Sequence, residues 1–194
     1  PIFAAMFALA ATGLPAKDNG WKKYEKNPVL GSPEIGTCFD VNVIKEGSKK
    51  YNMYFSWRPR KAIALVRSDD GVNWSEPEIC LEYDKTSGLE DNLNRSCTLY
   101  WNGEYHMWFT GQARGYSKIG YAKSKDGVKF TRVTRDPVLI PECPHEGYSV
   151  MNPYVRRDEN RGLFRMWYAS GETYEPNVLC YAESKDGVKW EKSV

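Results

Sequence analysis

Three short stretches of this chain gather the residues that could move protons or bind anions. Phe39-Asp-Val-Asn-Val-Ile44 places Asp40 among residues suited to burial, where a carboxylate must be paired, hydrated or functional. Glu90-Asp-Asn-Leu-Asn-Arg95 supplies Asp91 and a cation, Arg95, whose forked guanidinium suits a hydroxyl, a carboxylate or a phosphate. Asp91 reads equally as an ordinary loop or capping acid. Pro141-Glu-Cys-Pro-His-Glu-Gly147 adds Glu142 and Glu146, with His145 close enough to shift the titration of its neighbour. Carboxylates of this kind permit general acid and base chemistry. No metal-ligand set accompanies His145, and no cofactor is implied.

These residues belong to a chain that repeats itself. Ile63-Ala-Leu-Val-Arg-Ser-Asp-Asp-Gly-Val-Asn-Trp74 returns as Ile119 to Phe130 and again as Leu179 to Trp190, with the turn aspartates Asp70, Asp126 and Asp186 spaced 56 and then 60 residues apart. Before each copy stands a shared aromatic run: Tyr51-Asn-Met-Tyr-Phe-Ser, Tyr105-His-Met-Trp-Phe-Thr and Phe164-Arg-Met-Trp-Tyr-Ala. Aromatic and β-branched enrichment with glycine-marked turns predicts strands, and Asp-Gly supplies the positive φ of a tight hairpin. Inner strands are expected at Phe39 to Lys45, Cys97 to Trp101 and Pro153 to Arg156, and fourth strands from Trp74, Phe130 and Trp190. The fold class is therefore all-β: a β-propeller of four-stranded antiparallel blades at about 37–82, 94–140 and 149–194, three of an expected five. A step of 56 residues from Asp40 reaches Ser96, and a second reaches Asn152. These three are expected to be equivalent.

The 194 residues carry 27 basic and 25 acidic side chains, intermixed, for a net charge of +2. No basic stripe suggests nucleic acid. The five cysteines lack metal spacing and are odd in number, so free thiols are the simpler reading. Residues 1–20 form a separate apolar segment, too short for a membrane-spanning helix. It reads as a secretory remnant, implying a secreted or periplasmic protein, or else as an element packed on the blades of a cytoplasmic one. The remaining domain runs over 21–194. Within it Trp21 to Leu30 resembles Phe130 to Leu139 and is expected as an outer strand. Exposed blade edges would favour self-association.

The pattern Ala-x-Ser-x-Asp-Gly-x-x-Trp, with Asn27-Pro-Val-Leu30, resembles the five-bladed β-propeller glycosidases: glycoside hydrolase families 43 and 32, and the family 130 phosphorylases. Sialidases are a poorer fit, because their turn separates Asp from Gly. The resemblance implies hydrolysis of a glycosidic bond by two carboxylates. It assigns Asp40 as base or nucleophile and Glu146 as acid, in preference to Glu142, with Asp91 standing in for the second-blade aspartate that Ser96 replaces. Arg95 and Asn152 would bind substrate. Trp57 in Ser56-Trp-Arg58 would stack on a sugar, and Arg58 and Arg114 would clamp it. Gly171-Glu-Thr-Tyr-Glu175 is a further polar cluster at the same place in its blade. Two alternatives stand beside hydrolysis: a phosphorylase with one proton-donating carboxylate and cation-held phosphate, and a non-catalytic carbohydrate-binding propeller.

Overall fold

A computed structural model describes residues 20–87, 90–173 and 176–193. The apolar segment at 1–19 lies outside the described residues, as do Tyr174 and Glu175 of the third polar cluster. Among the described residues, twelve strands form three antiparallel sheets. Sheet 1 comprises β1 (Cys38–Glu46), β2 (Lys50–Trp57), β3 (Ala62–Ser68) and β4 (Glu78–Glu82). Sheet 2 comprises β5 (Asn92–Trp101), β6 (Glu104–Ala113), β7 (Tyr116–Ser124) and β8 (Thr131–Arg132). Sheet 3 comprises β9 (Ser149–Asp158), β10 (Leu163–Gly171), β11 (Pro176–Ser184) and β12 (Glu191–Lys192). The chain is all-β, and the sheets are consistent with three propeller-like blades. Strand β5 contacts β1 and β2, while β9 contacts β5, β6 and β7, so β1, β5 and β9 form the inner rank.

The shared aromatic run builds the cores between sheets by two-residue alternation. Met107 and Phe109 of β6 pack toward sheet 1 with Tyr54, Ile63 and Leu65, whereas Trp108 between them packs toward sheet 3 with Phe164 and Met166. Tyr54, Trp108 and Trp167 are the corresponding residues of the three sheets. The Tyr54 hydroxyl donates to the Gly127 carbonyl of the next sheet (2.8 Å), and the Trp108 indole N–H donates to Gly187 (2.9 Å). Trp167 remains 41% exposed, beside Tyr154 at 51%.

In each Asp-Gly turn the aspartate accepts hydrogen bonds from the two N–H groups that follow the glycine, and the preceding serine hydroxyl accepts from the glycine N–H. Those backbone donors hold Asp126 ionised, with a pKa of about 2. Gly127 and Gly187 have φ of 73° and 78°, and a Cβ on Gly187 would stand 2.8 Å from the Trp108 ring. The repeat is scaffold.

Two expectations need correction. Residues 21–37 form no strand; Leu30 packs beside Trp57 and Trp74 against Met53 and Phe55, with no described strand edge along which the segment pairs. Its counterpart Thr131–Arg132 does pair, because β7 offers an edge. The inner strands also begin earlier than expected. Polar residues such as Asn92, Asn94 and Arg95 conceal the strand, since their partners lie on other strands, Gln112 and Thr110 of β6 for the asparagines and Ser56 of β2 for Arg95. The cysteines are free thiols, Cys80 and Cys97 buried and the others half-buried.

Candidate active site

The inner strands share a break that periodicity alone does not reveal. Pairing of β1 with β2 slips between Phe39 and Asn42, and pairing of β5 with β6 slips between Asn94 and Cys97. Each slip is a bulge, which re-aims side chains. Asp40, Arg95 and Asn152 adopt left-handed φ values of 54°, 53° and 55°. Asp and Asn tolerate this conformation; Arg seldom does. The amides of two of these left-handed residues are captured by the preceding sheet: Arg95 N–H by Ser56 Oγ (2.8 Å) and Asn152 N–H by Thr110 Oγ1 (3.1 Å). The residues equivalent to Asp40 are thus Arg95 and Asn152. The fixed step to Ser96 is one residue too long, and Ser96 is buried beside the true counterpart.

This register joins two of the expected site residues. Arg95 Nε lies 3.7 Å from Asp40 Oδ2, with the Asp40 side chain 35% exposed. Burial raises the Asp40 pKa, while Arg95, the Ser56 hydroxyl and Arg58 pull it down; the balance is a carboxyl above its ordinary range. The Arg95 guanidinium also reaches Met151 Sδ (3.3 Å). Asn152 is exposed on the next inner strand.

The other expected binding residues surround the same end of the sheets, where inner strands start and second strands finish. Cys38 pairs with Trp57, Asn92 with Gln112, and Tyr148 N–H bonds to the Gly171 carbonyl. Asp91 is exposed there, its Oδ2 accepting the Arg114 N–H (3.2 Å). The guanidinium of Arg58 covers the Phe39 ring at 4.6 Å. Trp57 is anchored by its indole N–H to the Ile35 carbonyl (2.8 Å), and Arg60 lies over its ring.

Glu146 is placed differently. It is fully buried and saturated: Glu142 and Cys143 N–H groups and Lys192 Nζ reach Oε2 (2.7, 2.9 and 2.8 Å), and the Tyr168 hydroxyl reaches Oε1 (2.6 Å). Burial acts to raise its pKa, but Lys192, Tyr168 and the two amides outweigh it and hold the group at about 2. A carboxylate so held is ionised and has no exposed face, the reverse of what a proton donor requires. It ties the loop before β9 to the outermost strand, β12. Glu142 is exposed and pairs with the same lysine (3.0 Å). A cavity of about 810 Å³ runs along the inner strands from Asn42, Cys97 and Tyr154 toward Lys45, Trp101 and Arg157, starting two residues beyond Asp40 and Arg95.

Sequence reading passed over Ser56 and Thr110, the hydroxyls that seat the left-handed residues Arg95 and Asn152. Their only signal was a polar residue closing each of two otherwise aromatic runs.

Comparison with known proteins bears on this geometry. An uncharacterised protein of Mycobacterium tuberculosis (strain ATCC 25618 / H37Rv) is 39% identical over 80 residues, 38% of this chain and 26% of its own. The 1,2-beta-oligomannan phosphorylase of Thermoanaerobacter sp. (strain X514) is 28% identical over 107 residues, 50% of this chain and 35% of its own. The chain thus spans between a quarter and about a third of these curated relatives. Among solved structures, the family 32 β-fructofuranosidase of Bombyx mori superposes with a TM-score of 0.67 at 18% identity, over 84% of this chain and 36% of that one, a likeness of fold. The model of the glycosyl hydrolases family 32 N-terminal domain matches residues 32–194, and the chain belongs to that family.

Proposed function

We propose that this chain contributes the part of an active site that cleaves a glycosidic bond by phosphorolysis. The observation that carries the reading is the contrast among the expected carboxylates: Asp40 is accessible and shifted toward protonation, whereas Glu146 is sealed and ionised. Asp40 donates its proton to the glycosidic oxygen as the bond to the anomeric carbon breaks. A phosphate oxygen forms the new bond to that carbon, giving a sugar 1-phosphate and a free sugar, and the proton that the hydrogen phosphate carried returns Asp40 to its acid form through solvent. Arg95, with Arg58 and Arg114 at the same end, supplies cations for the phosphate, and Asn152 and Trp57 contact sugar. The oligomannan phosphorylase relative supports this choice and suggests a β-1,2-linked mannoside as first substrate.

Hydrolysis is the second reading, favoured by the family 32 match and by Asp91, a second accessible carboxylate at the same end that could activate water. Products formed from β-1,2-mannobiose with and without inorganic phosphate separate the two. Mannose 1-phosphate formed only with phosphate, and lost in Asp40→Asn, supports phosphorolysis. Reducing sugar released equally without phosphate overturns it in favour of hydrolysis. Glycan binding without turnover of any glycoside would overturn both and leave a binding protein.

A further inference from the structure

We propose that Ser56 is a positioning residue: its buried hydroxyl sets Asp40 and Arg95 as a single unit across the boundary between sheets 1 and 2. This rests on the reading of Asp40 as the reacting carboxylate and goes one layer behind it.

Ser56 is 0% exposed and pairs with Phe39, the residue before Asp40, at the point where the β1–β2 register slips. Its Oγ accepts the Arg95 N–H at 2.8 Å. A serine hydroxyl has one proton to donate and two lone pairs to accept with, so accepting from Arg95 leaves its proton free. Asp40 follows the Phe39–Ser56 pair directly, and the hydroxyl lowers the Asp40 pKa against the effect of burial, together with the two cations that act on this carboxylate, Arg95 from β5 and Arg58 from the turn after β2. One hydroxyl therefore holds the backbone of the cation that pairs with the acid, at the step of the strand where the acid emerges. Arg95 needs that hold. A non-glycine residue at φ 53° costs of order 1 kcal/mol or more and persists only where its surroundings fix it.

The neighbouring boundary gives an internal control. Thr110 occupies the position of Ser56 one sheet later and captures the Asn152 N–H in the same way, at 3.1 Å. There the preceding bulge carries Arg95 in place of an acid, so Thr110 seats a left-handed residue next to a cation and not next to a carboxylate. At the third sheet the equivalent residue is Ala169, which has no hydroxyl. A generic tie between sheets and a device for orienting an acid can thus be told apart by comparing Ser56 with Thr110.

The test is made on the whole chain, following the Asp40 carboxyl by carbon NMR through a pH titration alongside the pH dependence of turnover. Ser56→Ala is expected to move the Asp40 titration, and the limb of the rate profile that reports it, to higher pH. It should lower kcat by about 10–100-fold with little change in KM. Ser56→Thr should restore both, since threonine serves at the next boundary, and Thr110→Ala should leave the Asp40 titration unmoved. Should the alanine variant not fold, Ser56→Cys provides the same comparison with a weaker donor. Ser56 variants that fold with the Asp40 titration unchanged would overturn the proposal. If Ser56→Ala shifts that titration while Asp40→Asn keeps full turnover, the positioning role stands and the catalytic reading of Asp40 fails instead.

Discussion

Asp40 and Glu146 are both carboxylates that sequence placed at the reacting centre, and the structure drives them in opposite directions. Glu146 has no exposed surface and four donors; Asp40 keeps about a third of its side-chain surface and has one cation, Arg95, within ion-pair distance at 3.7 Å. Burial raises the pKa of each, but only Glu146 has partners enough to reverse it. Depth in the fold is therefore a poor guide to reactivity. The balance between burial and donors decides which acid can give up a proton.

That contrast can be broken in several places. Asp40→Asn should lower turnover by about 10²–10⁴-fold with the melting temperature nearly unchanged. A variant with near-native rates would remove Asp40 from the site. Glu146→Gln should behave in the opposite sense, costing about 3–5 kcal/mol in denaturant unfolding, because Lys192, with 8% of its side chain exposed, loses its buried partner. Tyr168→Phe removes one donor and should cost about 1.5–3 kcal/mol while raising the Glu146 titration.

The smallest effects lie in pH. Glu146 falls from an ordinary 4.5 to about 2, so an unfolded chain binds its proton more readily between those values. Its contribution to stability is complete above about 4.5 and disappears as pH falls through about 2, a slope that Glu146→Gln should flatten. Asp40 has the opposite sign. Its raised pKa means that ionisation costs stability as pH rises through the folded value, and Asp40→Asn should make the neutral protein slightly more stable. Unfolding curves measured across pH on the two variants would show whether the slopes oppose.

Much of the scaffold was legible in the sequence because the repeat and the alternation are local. The Asp70, Asp126 and Asp186 turns bond within a few residues, and the Met-aromatic-aromatic runs show their two faces directly. What escaped depends on distant partners. Lys192 lies 46 residues beyond Glu146, and Ser56 lies 39 before Arg95. The bulge was hidden for a further reason: a fixed repeat length assumes equal strands, and one extra residue moved the counterpart of Asp40 from Ser96 to Arg95.

The unequal fates of Tyr54, Trp108 and Trp167 also equip the chain with a built-in optical gauge. Trp108 is sealed against Tyr121, their rings stacked with centroids 4.7 Å apart, and its emission should report only on the integrity of the core. Trp167 sits at the same place in its sheet but faces solvent, so its emission should shift to the blue when that face is covered. Red-edge excitation or iodide quenching on Trp108→Phe and Trp167→Phe would resolve the two signals. The protein would then announce, without any added dye, when something docks on its third sheet.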